Sequence, residues 1–169
     1  ENVEEALALM EGLVEELQET RPLLDNRAKI LAWQLFENLI VVYGGDIFSS
    51  IARRWKTQIN ENGKAWAFYE ILPEAGHNAV EGLERPGVIS DHIRVVLLYS
   101  SALDEELKSG YTAIEKLLQQ ANVDYNKIEA RGQGSLSQMM SLMILGDYTS
   151  YYLGILYGAD PSPVSWVRS

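Results

Sequence analysis

His77, His92, Glu61 and Asp147 are the side chains of this sequence whose type and setting could carry proton chemistry. His77 and His92 are the only histidines, so acid–base work by an imidazole must use one of them. His77 follows the apolar stretch ending at Leu72-Pro73-Glu74-Ala75-Gly76. That is the strand end where open α/β sheets keep their ligands, although an ordinary loop histidine fits the position too. His92, in Ser90-Asp91-His92-Ile93-Arg94, precedes its apolar stretch and reads as a surface or capping residue. Glu61 sits in Asn60-Glu61-Asn62-Gly63-Lys64, where Asn62-Gly63 is a good left-handed helix terminator. A carboxylate at a helix C-terminus meets the negative end of the dipole, and this small misfit leans toward a functional reading over a solvated surface one. Asp147 stands in an apolar helix, where an unpaired carboxylate would cost several kcal/mol. A structural hydrogen bond from a neighbouring loop is the expected remedy. Gly44-Gly45-Asp46 follows an apolar run and could present backbone N–H groups to an anion. It matches neither the dinucleotide nor the P-loop pattern, and Asp46 would repel phosphate, so a plain strand-to-helix turn stands beside the ligand-loop reading. No set of His, Asp and Glu has metal-ligand spacing, and neither a metal nor a cofactor is expected.

The elements that must position these groups follow from hydrophobic periodicity. Val3, Ala6, Leu7, Met10, Leu13, Val14 and Leu17 recur at helical spacing, with Glu4, Glu5, Glu11 and Glu15 on the other face. A second helix is predicted over 26–37. Apolar or aromatic strands are predicted at 39–43, 65–72 and 94–99, with a weaker one at 127–130. Helices fall between them at 46–60, 77–83, 104–121 and 135–157. The alternation predicts an α/β fold with a mostly parallel sheet covered by helices on both faces. The last helix is apolar nearly all round (Leu136, Met139, Met140, Leu142, Met143, Ile144, Leu145) and should be buried.

A chain of 169 residues that is 47% hydrophobic can build one core. Its longest apolar stretch is broken by Gly146, Asp147 and Gly154, which argues against a membrane span. A formal charge of −10 disfavours nucleic acid and anionic lipid as partners. There is no cysteine and no signal-peptide pattern at the start, so a cytoplasmic protein is expected.

Several segments together resemble the C-terminal domain of the archaeal and bacterial bifunctional phosphoglucose/phosphomannose isomerases. They are Val42-Tyr43-Gly44, Ala52-Arg53-Arg54-Trp55-Lys56-Thr57-Gln58-Ile59-Asn60-Glu61-Asn62-Gly63-Lys64, Leu72-Pro73-Glu74-Ala75-Gly76-His77-Asn78, Leu145-Gly146-Asp147-Tyr148 and Asp160-Pro161-Ser162-Pro163-Val164. The resemblance implies a sugar-isomerase (SIS) fold and a homodimer. It also implies metal-free interconversion of glucose 6-phosphate, and mannose 6-phosphate, with fructose 6-phosphate through a cis-enediol. Glu61 matches the family's base between C1 and C2, and His77 matches the ring-opening histidine that the neighbouring subunit contributes. Gly44, Gly45, Arg54 and Ser162, in or beside the matching segments, are the substrate-binding candidates. Ser162 stands where threonine is usual and keeps the hydroxyl. The resemblance also makes 1–25 a helix and linker from an upstream domain, and 26–169 the C-terminal SIS domain. The family's upstream phosphate-binding loop and its C-terminal lysine have no counterpart in these residues, whose last pair is Arg168-Ser169. An eight-residue strand between Glu61 and His77 would hold them roughly 26 Å apart, so a shared site needs His77 from a second copy. A non-catalytic phosphosugar-binding SIS domain is the alternative, against which Glu61 argues, because binding an anion gains nothing from a carboxylate.

Overall fold

A computed structural model describes residues 3–83 and 85–162. The chain runs α1 (Val3–Leu17), α2 (Arg27–Leu35), β1 (Leu39–Gly45), α3 (Ser49–Glu61), β2 (Ala67–Leu72), α4 (Gly87–Ser90), β3 (Ile93–Tyr99), α5 (Glu105–Gln120), β4 (Asp124–Glu129) and α6 (Ser135–Leu156). The four strands form one parallel sheet in the order β2-β1-β3-β4. The expected class is therefore found.

Successive residues of a strand point to opposite faces, and the end of β1 shows what each face meets. A Cβ on Gly44 would lie 2.4 Å from the Phe48 carbonyl oxygen and 2.9 Å from the Ala52 Cβ, on the α3 side. One on Gly45 would lie 2.8 Å from Leu107 of α5. Helices thus cover both faces. The α3 layer also holds α1, α2 and α6, with α6 packed against all three. Leu13 and Leu17 of α1 join the same core as Leu142, Leu145 and Leu153 of α6. Asn26, fully buried, staples the first two helices together: its side chain accepts from the Ala28 and Lys29 amides and donates to the Leu17 carbonyl at 2.8 Å.

α6 is buried along most of its length, as its all-round apolar sequence requires. No helix among the described residues is long and apolar enough to cross a membrane. Glycine sets how closely α6 meets α3. Trp55, 1% exposed, donates its indole N–H to the Leu142 carbonyl at 2.8 Å, and a Cβ on Gly146 would come within 2.3 Å of that nitrogen. Gly146→Ala is therefore expected to cost about 1–3 kcal/mol through overpacking. Thermal unfolding should record this as a Tm lower by about 2–10 °C; an unchanged Tm would contradict the packing described.

Three local expectations need correction. The stretch 77–83 is not an α-helix: it follows a short 3-10 turn at Glu74–Gly76 and holds a second one at Ala79–Gly82. Asn78 interrupts it with φ −132° and caps the Ala79 amide with its own side chain. The fourth strand spans Asp124–Glu129 rather than 127–130. This polar edge strand is held by side-chain pairs, Asp124 with Arg94, Asn126 with Gln34 and Lys127 with Glu115. The left-handed residue after α3 is Lys64 (φ 53°), not Asn62 or Gly63.

Candidate active site

Glu61 is the last residue of α3, at the edge of the sheet where the strands begin. Its carboxylate is exposed and makes no hydrogen bond or ion pair among the described residues. The backbone around it is firmly held. The Asn62 amide bonds the Gln58 carbonyl at 2.8 Å, Lys64 Nζ donates to the Glu61 carbonyl at 2.5 Å, and Gly63 packs against Leu153 and the Ser150 carbonyl. Gly63 is thus explained by close approach rather than by an unusual φ.

The turn carrying Ser162 comes to the same place. At Gly154 of α6, a Cβ would lie 2.4 Å from the Asn62 carbonyl oxygen and 3.5 Å from Pro161 Cγ, so the 160–162 turn abuts the Glu61 turn. The Ser162 amide donates to Asp160 Oδ1 at 2.9 Å. That bond, with one from the Ser162 side chain, holds the Asp160 carboxyl below its ordinary range.

Arg54 lies seven residues before Glu61 on α3, about two turns or 10 Å along the helix. Its Nη2 donates to both carboxylate oxygens of Asp147, at 2.8 and 3.1 Å. This answers the question of what satisfies Asp147, and the partner is a helix rather than a loop. The pair is about 40% exposed on each side, so its contribution to stability is modest.

His77 stands at the other end of β2, between the two 3-10 turns, with its side chain exposed. Gly44 and Gly45 are at that end too, on the neighbouring strand. The six residues of β2 alone put about 20 Å between the Glu61 and His77 ends. One chain therefore assembles Glu61, the Ser162 turn and, two turns away, Arg54, and leaves His77, Gly44 and Gly45 apart from them. The Gly45 amide is already taken by the Tyr111 hydroxyl at 3.0 Å, which itself donates to the Leu98 carbonyl. Packing accounts for both glycines, which favours the plain-turn reading.

The same region carries two perturbed phenols. Burial first, then the neighbouring Glu70 charge, pushes the Tyr43 hydroxyl up to about 12, and burial also raises Tyr111. The unfolded chain releases these protons near pH 10, while the folded one keeps them. Stability is thus complete below that pH and falls as pH rises from about 10 toward 12, by about 1.4 kcal/mol per pH unit for each group. Melting from pH 8 to 12 should show the fall, and Tyr43→Phe should make it shallower while changing little at pH 8. A variant curve parallel to wild type would refute this cause.

Sequence reasoning missed Ser150 and Gly154 as parts of this end of the molecule. Ser150 and Gly154 read only as interruptions in an apolar stretch, because their relevance depends on which turn of α6 meets α3.

The parallel order β2-β1-β3-β4, with helices on both faces, makes this a doubly wound α/β domain. A glucose-6-phosphate isomerase like protein from Thermus thermophilus superimposes with a TM-score of 0.78 at 24% identity, over 98% of this chain and 53% of that one. The chain belongs to the bacterial phospho-glucose isomerase C-terminal SIS domain family, whose model matches residues 24–169. Bifunctional phosphoglucose/phosphomannose isomerases are similar over nearly all of it. That of Caldicellulosiruptor bescii is 33% identical over 97% of this chain, and that of Aquifex aeolicus 32% over 94%. The chain spans about half the length of these curated relatives, 49% of each.

Proposed function

We propose that this chain supplies the base and the ring-opening histidine of an aldose–ketose isomerase acting on glucose 6-phosphate and mannose 6-phosphate, with fructose 6-phosphate as the ketose. The observation that carries the reading is the exposed Glu61 carboxylate, without a partner among the described residues, on a rigidly held turn, in a family whose curated relatives bear the name phosphoglucose/phosphomannose isomerase. A general base must be free to accept a proton and fixed enough to meet it. In this mechanism His77 of a second copy first moves a proton to the ring oxygen and opens the sugar. Glu61 then takes the proton from C2. The released electron pair forms the C1=C2 bond of a cis-enediol as the carbonyl oxygen at C1 gains a proton. The Glu61 carboxylic acid returns its proton to C1, and the C2 hydroxyl gives up its own to become the ketone. Arg54, whose Nη1 takes no partner among the described residues, and the Ser162 hydroxyl hold the open-chain sugar. Residues 1–25 lead in from an upstream domain that grips the phosphate, with α1 packed onto the core of the C-terminal domain that 26–169 form.

The reading is tested by turnover and melting of the full-length protein with glucose 6-phosphate and mannose 6-phosphate, beside residues 1–169 alone. The full-length protein should turn both over. The shorter chain should fold as a dimer with negligible turnover, because phosphate contacts supply the binding energy that positions C1 and C2. Melting shifts without turnover in the full-length protein would make it a phosphosugar-binding module. Turnover by residues 1–169 near that of the whole protein would remove the upstream domain from the site.

A further inference from the structure

Glu61 is the middle residue of Asn60-Glu61-Asn62, and the fold treats these three side chains differently. Asn60 Oδ1 accepts the backbone N–H of Ala67, the first residue of β2, at 2.9 Å. Asn62 Nδ2 donates to Gln58 Oε1 at 3.0 Å and to the Ser150 hydroxyl of α6 at 3.3 Å. That hydroxyl in turn donates to the Asp147 backbone carbonyl at 2.8 Å. One asparagine is thus tied to the sheet and the other to α6, while the carboxylate between them has no partner among the described residues.

A helix end has free carbonyls and frays easily, so a functional group placed there is mobile unless neighbours restrain it. Restraint through Glu61's own side chain would occupy the oxygens that must take the proton. Restraint through its two sequence neighbours leaves them free. The close approach at Gly154, where the Asn62 carbonyl occupies the space a Cβ would need, presses the same turn onto α6.

We propose that Asn60 and Asn62 are positioning residues, a two-sided clamp that aims the Glu61 carboxylate at C1 and C2 of the sugar, with Ser150 anchoring the second arm. This rests on Glu61 being the base. Displacing a catalytic group by about 1 Å can cost roughly 10²-fold in rate, which sets the expected size of the effect.

The test uses the full-length protein with Asn60→Ala, Asn62→Ala, Ser150→Ala and Asn60→Asp. Asn126→Ala, which removes a remote Asn126–Gln34 hydrogen bond, serves as the stability control. Asn60→Ala and Asn62→Ala should each lower kcat about 10- to 100-fold with KM changed less than about threefold, and Ser150→Ala should do the same more weakly. Asn126→Ala should lower Tm without lowering kcat. Asn60→Asp keeps an acceptor for the Ala67 amide but adds a charge beside Glu61. It should recover most of kcat at high pH, with the acidic limb of the kcat profile moved to higher pH. The clamp is overturned if Asn60→Ala and Asn62→Ala keep more than half of kcat, if Asn126→Ala loses as much as they do, or if Asn60→Asp recovers nothing. Should Asn62→Ala fail to fold, Ser150→Ala and the Asn60 pair decide the matter. Activity retained by Glu61→Gln would instead remove the base itself, a separate and distinguishable failure.

Discussion

Glu61→Gln in the full-length protein is expected to lower kcat by about 10²–10⁴-fold, the usual contribution of a general acid–base group. Affinity for fructose 6-phosphate should stay within a few-fold. The amide is close to the carboxylate in shape but cannot accept a proton, so binding and chemistry separate cleanly. The structure makes the substitution a clean one, because the Glu61 side chain is exposed and makes no bond that holds α3 in place among the described residues. The helix end is secured by Asn60, Asn62 and Lys64 instead. Melting of the variant should therefore match wild type. Retention of more than about a tenth of kcat would remove Glu61 from the proton transfer.

The class of fold was legible because its signals are periodic. The apolar runs of β1 and β3 are buried between two layers of helices, and the all-round apolar α6 lies inside one layer, as burial requires. Elements stabilised by particular pairs were harder to read. β4 is an edge strand whose Asp124, Asn126 and Lys127 find partners on three other elements, and no hydrophobic pattern announces such pairing. The segment after β2 holds Asn78 and Gly82, and breaks into short turns for local reasons. For the site, the separation of Glu61 from His77 could be argued from sequence, since a strand between two residues fixes a minimum distance. The identity of Asp147's partner could not. It depends on the register of α6 against α3, which Gly146 and Gly154 set by permitting close approach. The same tertiary fact hides the convergence of the Ser162 turn on Glu61.

The proposed function requires one active site built from two copies, with Glu61 from one and His77 from the other. Tyr69 in β2 stands midway in sequence between them, so a two-fold axis near the middle of that strand would carry each His77 toward the other copy's Glu61. Such an isologous arrangement makes both sites equivalent. The decisive measurement is activity after subunit exchange between full-length Glu61→Gln and full-length His77→Ala, each inactive alone. A heterodimer has one site with both substitutions and one with both wild-type groups. With random exchange of equal amounts, half the dimers are mixed and half their sites are intact, so about a quarter of wild-type turnover should return. No recovery after exchange has been verified by mass would contradict the account, placing both residues in one chain's site or removing His77 from the chemistry.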